Sequence, residues 1–223
     1  MSGARRSNRR GKYRRPAGSL RRPRPHREPR PRVLIVCEGE KTEPLYFNAF
    51  RQDRRLSTME VTVIPGTKAG GTLPKQLVES AKKRRDQEKA ARNPYDVVWC
   101  VFDCDEHQRL QEALVQARDN KIKVAFSNPS FELWYLLHFQ HQGAVIDRKA
   151  VIAALRQYIP DYDKALDGMY ARLKDKQQDA ISRSQDLRNA QHHITAEQCT
   201  EVSPNPSTWV DKLVECLNNI PQE

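Results

Sequence analysis

Acidic residues follow two of the most apolar stretches of this chain, and that arrangement is the first sign of chemistry. Glu38 and Glu40 come directly after VLIVC at 33–37, and Asp103, Asp105 and Glu106 come after YDVVWCVF at 95–102. Carboxylates delivered to one place repel each other. A divalent cation removes that repulsion, and hard oxygen ligands of this kind suit magnesium or manganese. An Asp-x-Asp pair alone is a weak signal, because Asp is common in turns. Two apolar runs that carry acids to the same edge make a stronger one. The structural alternative is that Asp105 caps a helix and Glu106 sits favourably in its first turn.

Other polar residues join this set. Glu132 is a carboxylate inside the apolar segment SNPSFELWYLLHF at 127–139. It either completes a metal site with Asp103 or stands at the surface near a helix start. Asn128 either orients a carboxylate or a substrate phosphate, or serves a turn. Lys41 is placed to meet a phosphate. Glu43 is a first-turn helix acid or a member of the site. Lys68 with Gly70 and Gly71 reads as a loop able to approach a phosphate backbone, or as an ordinary flexible connection. His138 reads as a hydrogen-bonded packing residue, and Phe131, Leu133, Trp134, Leu136 and Leu137 as core.

These residues need a scaffold to hold them. Apolar, β-branched runs predict strands at 33–37, 59–64, 95–102 and 122–127. Between them, helices are predicted at 43–55 with Thr42 as cap and Pro44 in the first turn, at 73–92, at 107–119, and at 131–139 after the break and cap of Asn128-Pro129-Ser130. Four alternations of strand and helix imply an α/β domain over 33–145, with a doubly wound, mainly parallel four-stranded sheet and helices on both faces. Ligands bind such sheets at the carboxyl ends of strands near the switch in strand order. Glu38 and Asp103 share that edge if the first and third strands are neighbours. Beyond 145 only helices are predicted, at 147–158, 164–194 and 207–219, the last capped by Ser207. They form a C-terminal helical extension, 146–223, packed on the same domain.

Charge divides the chain differently. Residues 1–32 hold twelve arginines and one lysine against a single acid, Glu28, whereas 33–223 hold 26 basic and 27 acidic residues. The first stretch, spaced by Pro, Gly and Ser, has too little apolar surface to offset ordering entropy and reads as a disordered basic tail. Arginine at this density neutralises phosphates, so nucleic acid is its natural partner. A solubilising leader is the blander reading. No apolar run is long enough to span a membrane, and the basic start lacks the apolar core of a secretory signal. Its prolines argue against the amphipathic helix of a mitochondrial transit peptide. The five cysteines, Cys37, Cys100, Cys104, Cys199 and Cys216, lack paired spacing and read as reduced thiols of a cytoplasmic protein.

The wider spelling is more specific. VCEGEKTEPLYF at 36–47, FDCDEH at 102–107, SNPSFELWYLLHF at 127–139 and NPSTWVDKLVECL at 205–217 together resemble the RloB-like family. The underlying layout, a strand ending in Glu-Gly and a later one ending in Asp-x-Asp, resembles the TOPRIM domain of topoisomerases, primases and OLD-type nucleases. The resemblance implies a TOPRIM-like fold, an acid/base or metal-linked role for Glu38, and magnesium on Asp103 and Asp105. It also implies antiphage defence beside a partner ATPase. This chain has no G-x-x-x-x-G-K-[ST] loop, so that ATPase belongs to a separate chain. The expectation is a magnesium- or manganese-dependent nuclease, with Glu38 and Glu132 as catalytic acids. The alternative is a non-catalytic nucleic-acid-binding or assembly module. A receiver-like phosphoacceptor fits poorly, since receivers carry the acid pair on the first strand and the single acceptor on the third.

Overall fold

The computed structural model describes residues 30–66, 73–104, 110–190 and 204–221. Four parallel strands form where expected, as β1 (Val33–Cys37), β2 (Val61–Ile64), β3 (Val97–Asp103) and β4 (Lys123–Asn128). A two-residue strand, β5 (Ser207–Thr208), adds antiparallel to the end of β4, so the order is β2-β1-β3-β4-β5. The chain passes from β1 outward to β2 and returns to the other side of β1 as β3. The switch point therefore lies between β1 and β3, in the register Val36 to Cys100 and Cys37 to Val101.

Every residue of β1 is buried, because both faces of the sheet are covered. Leu34, Val36, Val98, Cys100 and Phe102 face α2 (Pro74–Ala90) and α3 (Leu110–Asp119). Val33, Ile35, Trp99 and Val101 face a larger core. That core is built by α1 (Thr42–Asp53), α4 (Glu132–Leu137), α5 (Arg148–Tyr158), α6 (Met169–Leu173), α7 (Gln177–Ala190) and α8 (Val210–Asn218). Leu155, Leu173, Ile181 and Leu213 thus share one core with the sheet residues. Tyr46 is its aromatic hub, meeting Phe47, Phe131, Tyr135 and Tyr170 with ring centroids 5.3–5.9 Å apart.

Several boundaries differ from the sequence expectation. Ser207 does not cap the last helix. It lies in β5, where the neighbouring Thr208 hydroxyl meets Ser127 Oγ at 2.8 Å, and α8 begins only at Val210. The helix expected over 164–194 begins at Met169, after Gly168 at φ 77°, and passes through a 3-10 turn at Lys174–Lys176. That break lets Met169, Tyr170 and Leu173 turn into the core. Thr42 is the first residue of α1 rather than its cap, and its hydroxyl donates to the Lys164 carbonyl at 3.0 Å. The Lys68–Gly71 loop, the first residues of the 107–119 helix, Cys199 and residues 1–29 of the basic tail lie outside the described residues.

Arg30 and Arg32, counted by composition with the tail, are fastened to the body. Arg30 pairs with Glu60 at 2.9 Å. Arg32 Nε donates to the Met59 carbonyl at 3.0 Å, its Nη1 donates to the Asn93 and Pro94 carbonyls, and its guanidinium lies 4.5 Å from the Tyr95 ring centre. It ties together the starts of β2 and β3. The structured part therefore reaches back past Val33, because backbone carbonyls at strand starts need donors. Arg32→Ala is expected to cost about 2–3 kcal/mol, read as a lower urea midpoint at unchanged m-value.

Candidate functional site

The carboxyl ends of β1 and β3 open into a cleft of about 410 Å³. Adjacent parallel strands bring Glu38 and Asp103 to the same edge, and they touch: Asp103 N donates to Glu38 Oε2 at 3.0 Å. Asp103 reaches across in turn, and its Oδ1 accepts the Phe131 backbone N–H at 2.8 Å, at the start of α4. The acid of β3 thus satisfies a helix-start donor that Asn128-Pro129-Ser130 was expected to satisfy. The Ser130 hydroxyl instead donates to Glu132 Oε2 at 2.6 Å.

Glu132 and Glu43 form the inner wall. Glu132 is 2% exposed, and its second oxygen accepts the Tyr162 hydroxyl at 3.1 Å. Glu43 is 5% exposed and comes from the first turn of α1, as expected for a helix-start acid. Burial pushes its carboxyl up to about 7, and the charges of Glu132 and Glu38 add to the rise, while its own backbone N–H and Lys164 oppose it. Burial also raises Asp103 well above the usual range, followed by repulsion from Glu43; Arg148 pulls the other way, and Glu132 and Glu38 push up. Glu40 and Lys41 are exposed at the mouth, and both line the cleft.

Two cations escape the sequence reading. Arg148, the first residue of α5, forms a short ion pair with Asp103 Oδ2, and Lys164 also lines the cleft. Asp147 signals a helix start in the sequence, and its side chain does cap α5, accepting from Ala150 N at 2.8 Å. Nothing in the spacing ties Arg148 to an acid 45 residues away. Tyr162 was likewise invisible as a Glu132 partner.

Two candidates do not line the cleft. Asn128 pairs with Ser207 in the β4–β5 ladder. His138 bonds the Trp134 carbonyl through Nδ1 at 2.8 Å, and burial holds its imidazole down at about 4. It is a neutral packing residue, as expected. Asp105 and Glu106 lie outside the described residues. Among the described residues no group of three or more His, Cys, Asp or Glu stands ready to hold a metal ion, and Asp103 engages Arg148.

Glycines allow this crowding. A Cβ on Gly39 would overlap the Glu43 carboxylate, and one on Gly66 would overlap the Glu38 backbone carbonyl. A side chain can rotate away but a strand-end carbonyl cannot. Gly66→Ala is therefore expected to cost about 2–3 kcal/mol and Gly39→Ala about 1 kcal/mol, compared by chemical denaturation.

No curated protein and no solved structure matches the chain. A family model described as RloB-like protein matches residues 33–217.

Proposed function

The chain belongs to the RloB-like family, and on that premise we propose that it is a divalent-cation-dependent nuclease of TOPRIM-like layout. It would hydrolyse phosphodiester bonds of nucleic acid, in antiphage defence beside an ATPase carried on another chain. The observation that carries this reading is the meeting of Glu38 and Asp103 at the switch point, backed by Glu43 and Glu132 in one cleft.

The donor set fits a magnesium or manganese ion by its chemistry. All the acids offer hard oxygens; burial first, and repulsion among the acids second, raise Glu43 and Asp103, and an added positive charge offsets both by favouring the ionised forms. Glu38 and Asp103 would hold the ion, with Asp105 as the further carboxylate that the family resemblance implies. A bound ion supplies Lewis-acid polarisation of a phosphoryl oxygen. The chain's own residues do the rest. Lys41 and Lys164 offset phosphate charge at the mouth. Glu43, raised to about 7 in the metal-free protein and brought lower by a bound cation, would serve as a proton acceptor at Oε near neutral pH. Ser130 and Tyr162 fix Glu132 behind it, where its charge acts on Glu43.

The test is cleavage of DNA and of RNA with magnesium or manganese, with and without the partner ATPase and ATP, for the parent, Glu38→Gln and Glu43→Gln. Metal-dependent cutting lost in both variants supports the reading; cutting at the parent rate in both sinks it. The Arg148–Asp103 pair favours a second reading, a non-catalytic nucleic-acid-binding module, which predicts binding without cleavage under every condition. Deleting residues 1–29 removes eleven basic residues and one acid. It is expected to weaken nucleic-acid binding and to flatten the slope of log affinity against log salt, by about 0.9 per lost phosphate contact on duplex DNA. An unchanged slope would place binding on the folded body.

A further inference from the structure

A second cleft of about 730 Å³, larger than the acidic one, lies away from the acids, along the open edge of β4 between the carboxyl-terminal ends of α3 and α8. β5 covers only Ser127 and Asn128, so among the described residues no strand lies on the outer side of the amino half of β4, whose other side pairs with β3. The direction of its backbone groups follows from two bonds. The Ser127 carbonyl accepts from Cys104 N on the β3 side, and the Phe126 carbonyl accepts from Trp209 N on the outer side. Backbone groups of alternate residues address opposite edges, so the N–H and C=O of Val124 point into the open groove. Trp99 and Leu114 give it apolar walls, and the Trp99 indole N–H, buried, has no hydrogen-bond partner.

The rim is basic. Lys121 and Lys123 stand at the strand start, the latter with its ammonium 5.5 Å from the Trp99 ring centre. Arg118 and Lys212 also line the groove but are paired with Asp119 and Glu215. Trp99 is four residues before Asp103 on β3, about 13 Å at ~3.3 Å per residue, so the groove is separate from the acidic cleft.

We propose that this edge docks an extended, acid-bearing segment of a partner protein, which adds to the sheet as a strand beside Val124. An unpaired strand edge is a template for main-chain pairing, and flanking pockets read alternate side chains. The two lysines, both at the strand start, select acids at the end of the segment that lies beside them. A nucleotide would leave the paired N–H and C=O of Val124 unmatched.

The probe is an array of short peptides with alternating Val or Ile centres and Asp or Glu ends, compared with the same array carrying Lys ends, on the full chain. Acid-ended peptides are expected to bind, and to slow alkylation of Cys216, which lines the groove. Lys121→Asn with Lys123→Gln should weaken binding at least tenfold. Val124→Pro, which removes the outward N–H together with a partly buried side chain, should abolish it in the folded variant, where proline on an edge strand is tolerated. If that variant does not fold, the lysine pair and Cys216 protection decide the question. Equal binding of both arrays, or parent affinity in these variants, overturns the proposal. So does displacement of the peptide by a single-stranded oligonucleotide, or a dimer of the chain that the lysine pair abolishes.

Discussion

Asp103→Asn is expected to abolish manganese binding and to slow cleavage by at least about three orders of magnitude, or ~4 kcal/mol of barrier. The fold should persist. An amide at this position can still accept the Phe131 N–H that Oδ1 now receives, and it removes the Asp103 carboxyl that Glu43 repels. What the amide cannot do is pair with Arg148 or ligate a hard cation strongly. Arg148→Gln should act in the opposite sense on metal. Arg148 holds Asp103 Oδ2, so it competes with any cation for that oxygen. Without it the metal-free protein should lose roughly 1–3 kcal/mol, the range between exposed and buried ion pairs. The manganese-induced rise in melting temperature should grow, because binding to the native state adds RT ln(1 + [L]/Kd) of stability. Calorimetry with manganese on the parent and both variants reads the metal-binding and stability effects without any assay of cleavage. Parent-like binding in Asp103→Asn would remove that residue from the metal site. Unaltered affinity in Arg148→Gln would remove the competition.

Glu43→Gln is expected to stabilise the metal-free protein at neutral pH by a few kcal/mol and to flatten its stability profile. The Glu43 carboxyl is raised from 4.5 to about 7 in the fold, so the native state keeps a proton that the unfolded chain has released. Its favourable contribution is complete below pH 4.5 and is lost as pH rises toward 7, at about 1.4 kcal/mol per pH unit. Asp103 titrates in the same sense. Asp53 and Glu60, lowered by their partners, act in the opposite one. The difference between parent and variant isolates Glu43. Denaturant midpoints measured from pH 4 to 8 should diverge from pH 4.5 to about 7 and then stay a constant distance apart, and parallel curves throughout would show that Glu43 is not raised. With manganese present the parent should gain stability over the same interval, because a cation favours the ionised acids.

The sequence by itself determined the sheet and the chemical character of its edge. Four runs dense in β-branched and apolar residues lie where β1 to β4 form, since strands buried on both faces carry that pattern and little else does. Placing acids at the ends of β1 and β3 required only the alternation of strand and helix, and the rule that such sheets bind at their carboxyl ends. The wider motifs pointed to the family that the match over 33–217 now shows. Short and mixed elements were illegible. Ser207 looks like a helix cap to any local reading, and it becomes strand only because β4 offers an edge and Ser127 a hydroxyl partner for Thr208. Arg32 reads as one more tail arginine until the carbonyls around it, from residues 59, 93 and 94, are brought together.

The site divides in the same way. Glu38, Glu43, Asp103 and Glu132 were visible as residue types, but which of them are buried, and what neutralises them, was decided by tertiary structure alone. Arg148 approaches Asp103 from a helix 45 residues onward, and Tyr162 reaches Glu132 from a loop 30 residues on. The physical reason is that a carboxylate's protonation and partners depend on desolvation and on charges within a few ångströms. Those distances are set by packing between elements far apart in the chain.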